Sequence, residues 1–423
     1  MRIGFLVSVL MIGVVAWQVI EKSARINSKE VIIREALPMD IPYEKSKALS
    51  HLNRIREAMS MQLLQENESL RMSAQAHADY LVLNDESSHD QIEGHSGFSG
   101  IKVSDRAFVS GYESSHVTEN LSTKNEHAES SVNGLFSAIY HRFSFLALGI
   151  DEIGVGIQQD QMHTAKSAFV YNMGNSEINR LCLGESFKGY GKYVYGICKN
   201  REHRIHAKKF HSTLNHVKKY NPKIIVYPYN EQQKVPPAFY EEVPDPLPSH
   251  EVSGFPVSIE FNDYFFKDVT LHSFKLYEDS GKEVEDVQLM DKDSDPHYMF
   301  TKHQYALFPL TRLSYDTLYR AEVTYSSKGE EEKVVWSFKT ETPQEILHIV
   351  TQSEETFRIK RGESYMIYFE PLDEHEIMRD IQFSSDVYIE FIDNHSIKMT
   401  LMSDDLDSFD IVSDTRILHV EVD

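Results

Sequence analysis

Ser88-His89, Gly97-Phe98-Ser99-Gly100, Asp105-Arg106-Ala107, Gly111-Tyr112, Glu119-Asn120-Leu121, His141-Arg142 and Ile153-Gly154-Val155-Gly156 punctuate the stretch from Leu49 to Gly156. Two histidines and one glutamate, His89, His141 and Glu119, lie far apart within it. Each sits in a short segment that reads as a loop or the end of an element. The expectation is that the fold gathers them into a His/Glu/His cluster at the mouth of a cleft. The residues before this stretch read as delivery, and those after it read as β-rich support.

The local pattern around the cluster alternates helices and strands. Ala48, Leu52, Ile55, Met59 and Leu63 repeat at three and four, so a helix begins near Tyr43. Leu70, Ala74, His77 and Leu81 share one face of a second helix. His77 on that apolar stripe reads as a hydrogen-bonded core residue rather than a ligand. Residues 85–100, rich in Ser, Asp, Gly and His, read as a loop, and Ser130 to Tyr140 as a third helix. Ile153–Ile157, Ser167–Tyr171 and Lys192–Cys198 read as strands. Helices flanking a few strands make a layered α/β domain.

At 423 residues the chain is long enough for about three domains. Its formal net charge of -22 argues against nucleic acid and against charge-driven adhesion to anionic lipid. Residues 3 to 20 are almost wholly apolar and follow Arg2. That run approaches the ~20 residues that span a bilayer. The nearest cut site, after Ser23-Ala24, has Lys22 where a small residue belongs, so residues 1–24 read as an uncleaved signal anchor ahead of a cleaved signal peptide. Either reading exports the rest, with a membrane link through the N-terminal segment. Cys182 and Cys198, the two cysteines, then read as a disulfide, worth about 3 kcal/mol by closing a short loop.

Residues 201–249 read as a linker, first basic, then proline-rich. Lys199, Arg201, Arg204, Lys208 and Lys209 are interleaved with His203, His206, His211 and His216, a solvated connector rather than a metal or anionic-glycan site. Pro228, Pro236, Pro237, Pro244, Pro246 and Pro248 favour extended backbone. Residues 250–342 then carry about seven short strands, an Ig-like β-sandwich. Trp336 reads as core, and Leu313 with Tyr319 suggests a tyrosine corner. Residues 343–423 form a small β-rich domain in which Val387, Ile389 and Phe391 face Ile397, Met399 and Leu401 in a hairpin.

The ordered set Leu52-Asn53-Arg54, Ala74-Gln75-Ala76-His77-Ala78, Ser88-His89, Gly97-Phe98-Ser99-Gly100, Arg106, Gly111-Tyr112, Glu119-Asn120, His141-Arg142 and Ile153-Gly154-Val155-Gly156 resembles the bacterial branch of the CAP superfamily of cysteine-rich secretory, antigen 5 and pathogenesis-related proteins. The resemblance covers residues 46 to about 175 and sets the domain at 44–200. It implies an α-β-α sandwich, and so an α+β chain in which that sandwich precedes the two β-domains. It also implies secretion and a cleft holding two histidines and two acids. His89, Glu119 and His141 match three of the four. Thr118 replaces the glycine usual before the Glu-Asn pair. Ala138 stands where the second acid is expected, and Leu135 where a tryptophan precedes it.

Three functions are open to such a chain. The first is binding of a cell-envelope lipid, glycan or protein through the His89/Glu119/His141 cleft, without turnover. The second is metal-assisted hydrolysis of peptide or peptidoglycan, with zinc on His89 and His141 and Glu119 as base. The third is a structural envelope scaffold that binds through its β-domains. Glu93 and His95 could supply a substitute ligand but read as exposed loop residues. There is no Gly-x-Ser-x-Gly elbow and no phosphate-cradling glycine loop.

Overall fold

A computed structural model describes residues 23–27 and 37–423, apart from 241, 251, 374, 375, 377, 379, 404, 414 and 415. The expected signal anchor lies outside the described residues except for Ser23 and Ala24, which belong to a strand, Ser23–Asn27. Among the described residues no helix is long and apolar enough to cross a membrane. The described residues form two compact units. One comprises residues 37–246 and 253–341, the other residues 342–423 with 23–27 and 247–252.

The first unit begins with helix α1, Ile41–Ala58, capped by the Asp40 side chain, which accepts from Tyr43 N. Helix α2, Glu68–Asn84, is capped by Asn67 and ends on Asp85 in the left-handed region. Between and after these helices lies a sheet of four strands. They are β1 Gln65–Glu66, β2 Val117–Thr123, β3 Glu152–Gln159 and β4 Ser167–Gly174, in the order β1-β3-β4-β2.

Strand alternation divides β3 and β4 between two faces. Ile153, Val155, Ile157, Phe169 and Tyr171 pack with Leu52 and Ile55 of α1 and with Val132 and Phe136 of helix α4, Ala128–Ser137. Ala168 and Val170 pack on the other face with Ala74 and Ala78 of α2. On that face β3 carries Gly154 and Gly156. A Cβ at Gly154 would lie 2.0 Å from Arg71 N, and one at Gly156 2.2 Å from Ala74 C. The backbone of α2 therefore lies directly on the strand, and this layering is the expected α-β-α sandwich.

Two short helices escape the periodicity of the sequence. Helix α3, Val103–Val109, has too few residues to show an apolar stripe. The expected third helix divides at Ala138 into α4 and helix α5, Ile139–Phe145. Cys182 and Cys198 are joined as expected.

The reading of residues 201–249 as a linker is corrected. Ala207–Lys219 is a helix, α6, and Ile224–Tyr227 (β5) and Gln232–Val235 (β6) are strands of the sandwich. The sandwich is completed by β7 Val257–Phe261, β8 Thr270–Glu278, β9 Val287–Met290, β10 Gln304–Pro309, β11 Leu318–Ser327 and β12 Glu330–Thr340. One sheet runs β9-β10-β7-β5 and the other β8-β11-β12-β6. Ile225, Tyr227 and Val235 are buried in one apolar core that runs on into the α-β-α layers, where Phe136 stacks on Tyr227 at 4.9 Å. Burial of those side chains is what makes the segment structural. Arg142 of α5 completes the join. Its guanidinium donates to Phe136 O and Pro256 O, both at 2.7 Å, and lies over the Tyr227 ring. Trp336 is buried, and the Tyr319 hydroxyl accepts from Ser314 N at 2.9 Å, the expected corner.

The second unit is two sheets enclosing one core. Ile346–Val350, Ser364–Phe369, Ser396–Leu401 and Val387–Phe391 form one. Val387, Ile389 and Phe391 pair with Leu401, Met399 and Ile397 as the sequence suggests.

Candidate functional site

The three residues singled out in the sequence come together in the α-β-α domain, and each is held by neighbours the sequence did not show. Glu119 lies on β2, its side chain nearly inaccessible. Arg106 of α3, fully buried, donates Nη2 to both carboxylate oxygens at 2.9 and 2.8 Å. Asn172, its cross-strand neighbour on β4, donates to Oε2 at 2.8 Å with its amide nitrogen turned to that oxygen. His89 Nδ1–H donates to Oε1 at 3.1 Å. Burial alone would push this carboxyl up. The His89 hydrogen bond and the Arg106 charge outweigh it, and Glu119 lies below its ordinary value. Four charge-assisted or polar donations leave it a fixed carboxylate.

His77 is the core residue the apolar stripe implied, and it has a task. Gln91 Nε2 donates to its Nδ1 at 3.0 Å, so Nε2 carries the proton and donates to Ser88 O at 3.0 Å. Burial lowers the His77 pKa to about 4, so the ring stays neutral. Gln91 also accepts from Ser99 N at 2.7 Å. Together they pin the loop whose next residue after Ser88 is His89.

His141 is the third residue of α5. Ala138 offers this helix no side-chain cap. Glu242, from the proline-rich segment, does so instead. Its buried carboxylate accepts from Tyr140 N at 3.0 Å and His141 N at 3.1 Å, and from His141 Nδ1 at 2.6 Å. A carboxylate on the first free N–H groups of a helix satisfies donors that otherwise lack partners. The acid that Ala138 cannot supply thus arrives from a segment read as a linker. Nothing in the sequence pairs Glu242 with His141, and the only signal was the vacancy at Ala138.

The result is two imidazoles, each with Nδ1 tied to a carboxylate, stacked with ring centroids 6.1 Å apart. In the neutral form each keeps Nε2 as an acceptor. His95 does not join them, because its Nδ1 meets Glu86 Oε1 at 2.9 Å, and Glu93 is exposed. Two imidazole nitrogens are the donors offered to a metal. Among the described residues no three or more His, Cys, Asp or Glu side chains are grouped to hold one. A catalytic zinc takes three protein ligands, and these residues do not make that centre.

Glu242→Gln is expected to lengthen the contact to His141 and to loosen α5, at a cost of about 1–2 kcal/mol. Chemical denaturation reads the cost, and the imidazole resonance of His141 in NMR reads the position. An unchanged resonance would mean that Glu242 does not hold the ring.

Residues 49–173 match the family model described as the cysteine-rich secretory protein family, CAP. Among solved structures, an extracellular protein containing an SCP domain from Bacillus anthracis is 16% identical, with 36% of this chain covered and a TM-score of 0.28. This chain spans 44% of the length of that protein. An outer surface protein from Borrelia burgdorferi is also 16% identical, covering 33% of this chain and 98% of its own, with a TM-score of 0.29. A pair of titin Ig domains is 11% identical, covering 47% and 96%, with a TM-score of 0.17. No curated protein matches the chain.

Proposed function

Because residues 49–173 are a CAP domain, we propose that the chain works outside the cytoplasm as a binding protein. Its ligand, a lipid headgroup, glycan or protein of the cell envelope, is held by His89 and His141 in the cleft. The exported setting is supported by the disulfide and by the apolar run at residues 3–20, which would also tether the chain to the membrane. The observation that carries the binding reading is the saturation of Glu119. A general base needs a free lone pair and a pKa near the working pH. Glu119 has Arg106, Asn172 and His89 on its oxygens and lies below its ordinary value. It orients His89 and takes no proton. The Nε2 atoms, whose ring partners fix their tautomer, accept from hydroxyl or amide groups of the ligand.

The test uses the full chain against purified peptidoglycan sacculi, envelope lipid vesicles and solubilised envelope protein. One of these is expected to be retained, and the His89→Ala/His141→Ala double variant to bind it at least about tenfold more weakly, roughly two hydrogen bonds' worth. Equal retention by parent and variant would remove the cleft from the account and leave the β-domains as the binding surface. Stoichiometric zinc in the purified chain, with turnover of sacculi or peptide that Glu119→Gln abolishes, would replace binding by hydrolysis.

A further inference from the structure

A cavity lies where the α-β-α layers meet the sandwich. It has a volume of about 330 Å³, at the small end of ligand pockets. Phe143, Leu148, Ile150 and Leu214 give it apolar walls. Its polar floor comes from β7 and β10. On β7, Val257, Ile259 and Phe261 enter the sandwich core, so Ser258 and Glu260 face outward. In a free sandwich that face would be wet. Here the α-β-α layers cover it, and Glu260 is buried.

Two polar atoms of this floor are left without partners. Glu260 Oε1 accepts from Gln304 Nε2 at 3.1 Å, but Oε2 has nothing. His303 Nε2, also buried, has nothing. Buried polar atoms without a partner are costly, and both of these belong to residues that line the cavity. The remaining charges in the cavity cancel, because Lys218 Nζ is paired with Asp263 at 2.6 Å. The unmet need is therefore for a cation or strong donor at Glu260, carried on an apolar body.

We infer that this cavity binds a small organic amine, its ammonium on Glu260 and its hydrocarbon part against Phe143, Leu148 and Ile150. The site is separate from the histidine cleft and stands whether or not that cleft binds anything. Burial pushes the free Glu260 carboxyl up to about 8, with Asp263 adding to the rise and Lys218 opposing it. The other titratable groups lining the cavity are His116 and His303. The empty site therefore holds a neutral acid at pH 7, and an arriving ammonium turns it into a carboxylate. The proton leaves to solvent, so binding is tied to pH.

The test is calorimetry on the full chain with methylamine, cyclohexylamine and 2-phenylethylamine, and with 2-phenylethanol as the neutral counterpart. At least one of the larger amines is expected to bind, and the alcohol at least tenfold more weakly. Affinity should rise several-fold from pH 6 to pH 7, with net proton release at pH 7 read in buffers of different ionisation heat. Glu260→Gln is expected to weaken the amine at least tenfold. Leu214→Trp, which fills the cavity and leaves Glu260 in place, should do the same if Glu260→Gln does not fold. Silence from every amine, equal binding of the alcohol, or binding that survives Leu214→Trp would each overturn the proposal.

Discussion

Arg106→Met is expected to destabilise the α-β-α domain by about 3–5 kcal/mol at pH 7, because it strands the Glu119 carboxylate in a buried site. Arg106 is itself wholly buried and also donates to Ile101 O at 2.8 Å, so the variant loses a loop contact as well as a charge. The size of the effect depends on pH, and its sign can be stated. In the parent, Glu119 lies below the ordinary 4.5. Its ion pair therefore contributes fully above pH 4.5 and fades as pH falls through the lower folded value. In the variant the Arg106 charge no longer offsets the desolvation, so Glu119 titrates higher than in the parent although His89 and Asn172 still donate to it, and protonation relieves the stranded charge. The gap between parent and variant should close as pH drops from 7 towards 4. Urea denaturation at both pH values measures it. A gap below about 1 kcal/mol, or one constant with pH, would mean that Glu119 is not held as a buried anion.

The second large effect is expected at Gly154. A Cβ there meets Arg71 N at 2.0 Å and Leu70 C at 2.1 Å. These are backbone atoms, so no rotamer change relieves the contact. Overpacking a core with extra methyl groups costs about 1–3 kcal/mol even where side chains can give way. Gly154→Val must instead lift α2 off β3, and the expected outcome is a chain without the native near-ultraviolet signal of its layered domain. Gly134→Ala is the control, since nothing lies within 4 Å of a Cβ at that helical glycine. A Gly154→Val chain that unfolds at the parent's midpoint would show that α2 does not rest on the strand.

The parts of this protein that the sequence displays are those whose cause is local. Leu52 and Ile55 mark α1 because the same helix that spaces them also buries them. Ile153, Val155 and Ile157 mark β3 by alternation, and the interposed glycines record the helix above. The division at Ala138 was hidden because Val132, Leu135, Phe136 and Ile139 keep helical spacing through it, while the distant Glu242 is what supports the new start. β5 was hidden because Ile224 to Tyr227 is a four-residue apolar run that ends on Pro228, which gives no period to read. Of the site, His89, Glu119 and His141 were visible as a set. Arg106 was visible only as a fixed point without a partner, and Glu242 and Asn172 were not visible, since each acts through a contact that forms after folding. Glu260 alternates with Ile259 and Phe261 on β7 and so faces outward from the sandwich. That a second layer covers it is written nowhere near it.

Glu242 also sets an order of construction. Its carboxylate is 101 residues downstream of the ring it holds. A chain emerging from its N-terminal end presents His141 and the bare start of α5 long before Glu242 appears, and β5, which helps close the core beside them, comes only a little earlier. The first half of the cleft, with Arg106, Glu119 and His89, can assemble from early segments, whereas the second half must wait for the connector to arrive and fold back. A chain made only as far as residue 241 lacks the carboxylate that holds His141, so the paired imidazoles report that the chain has been made beyond that point.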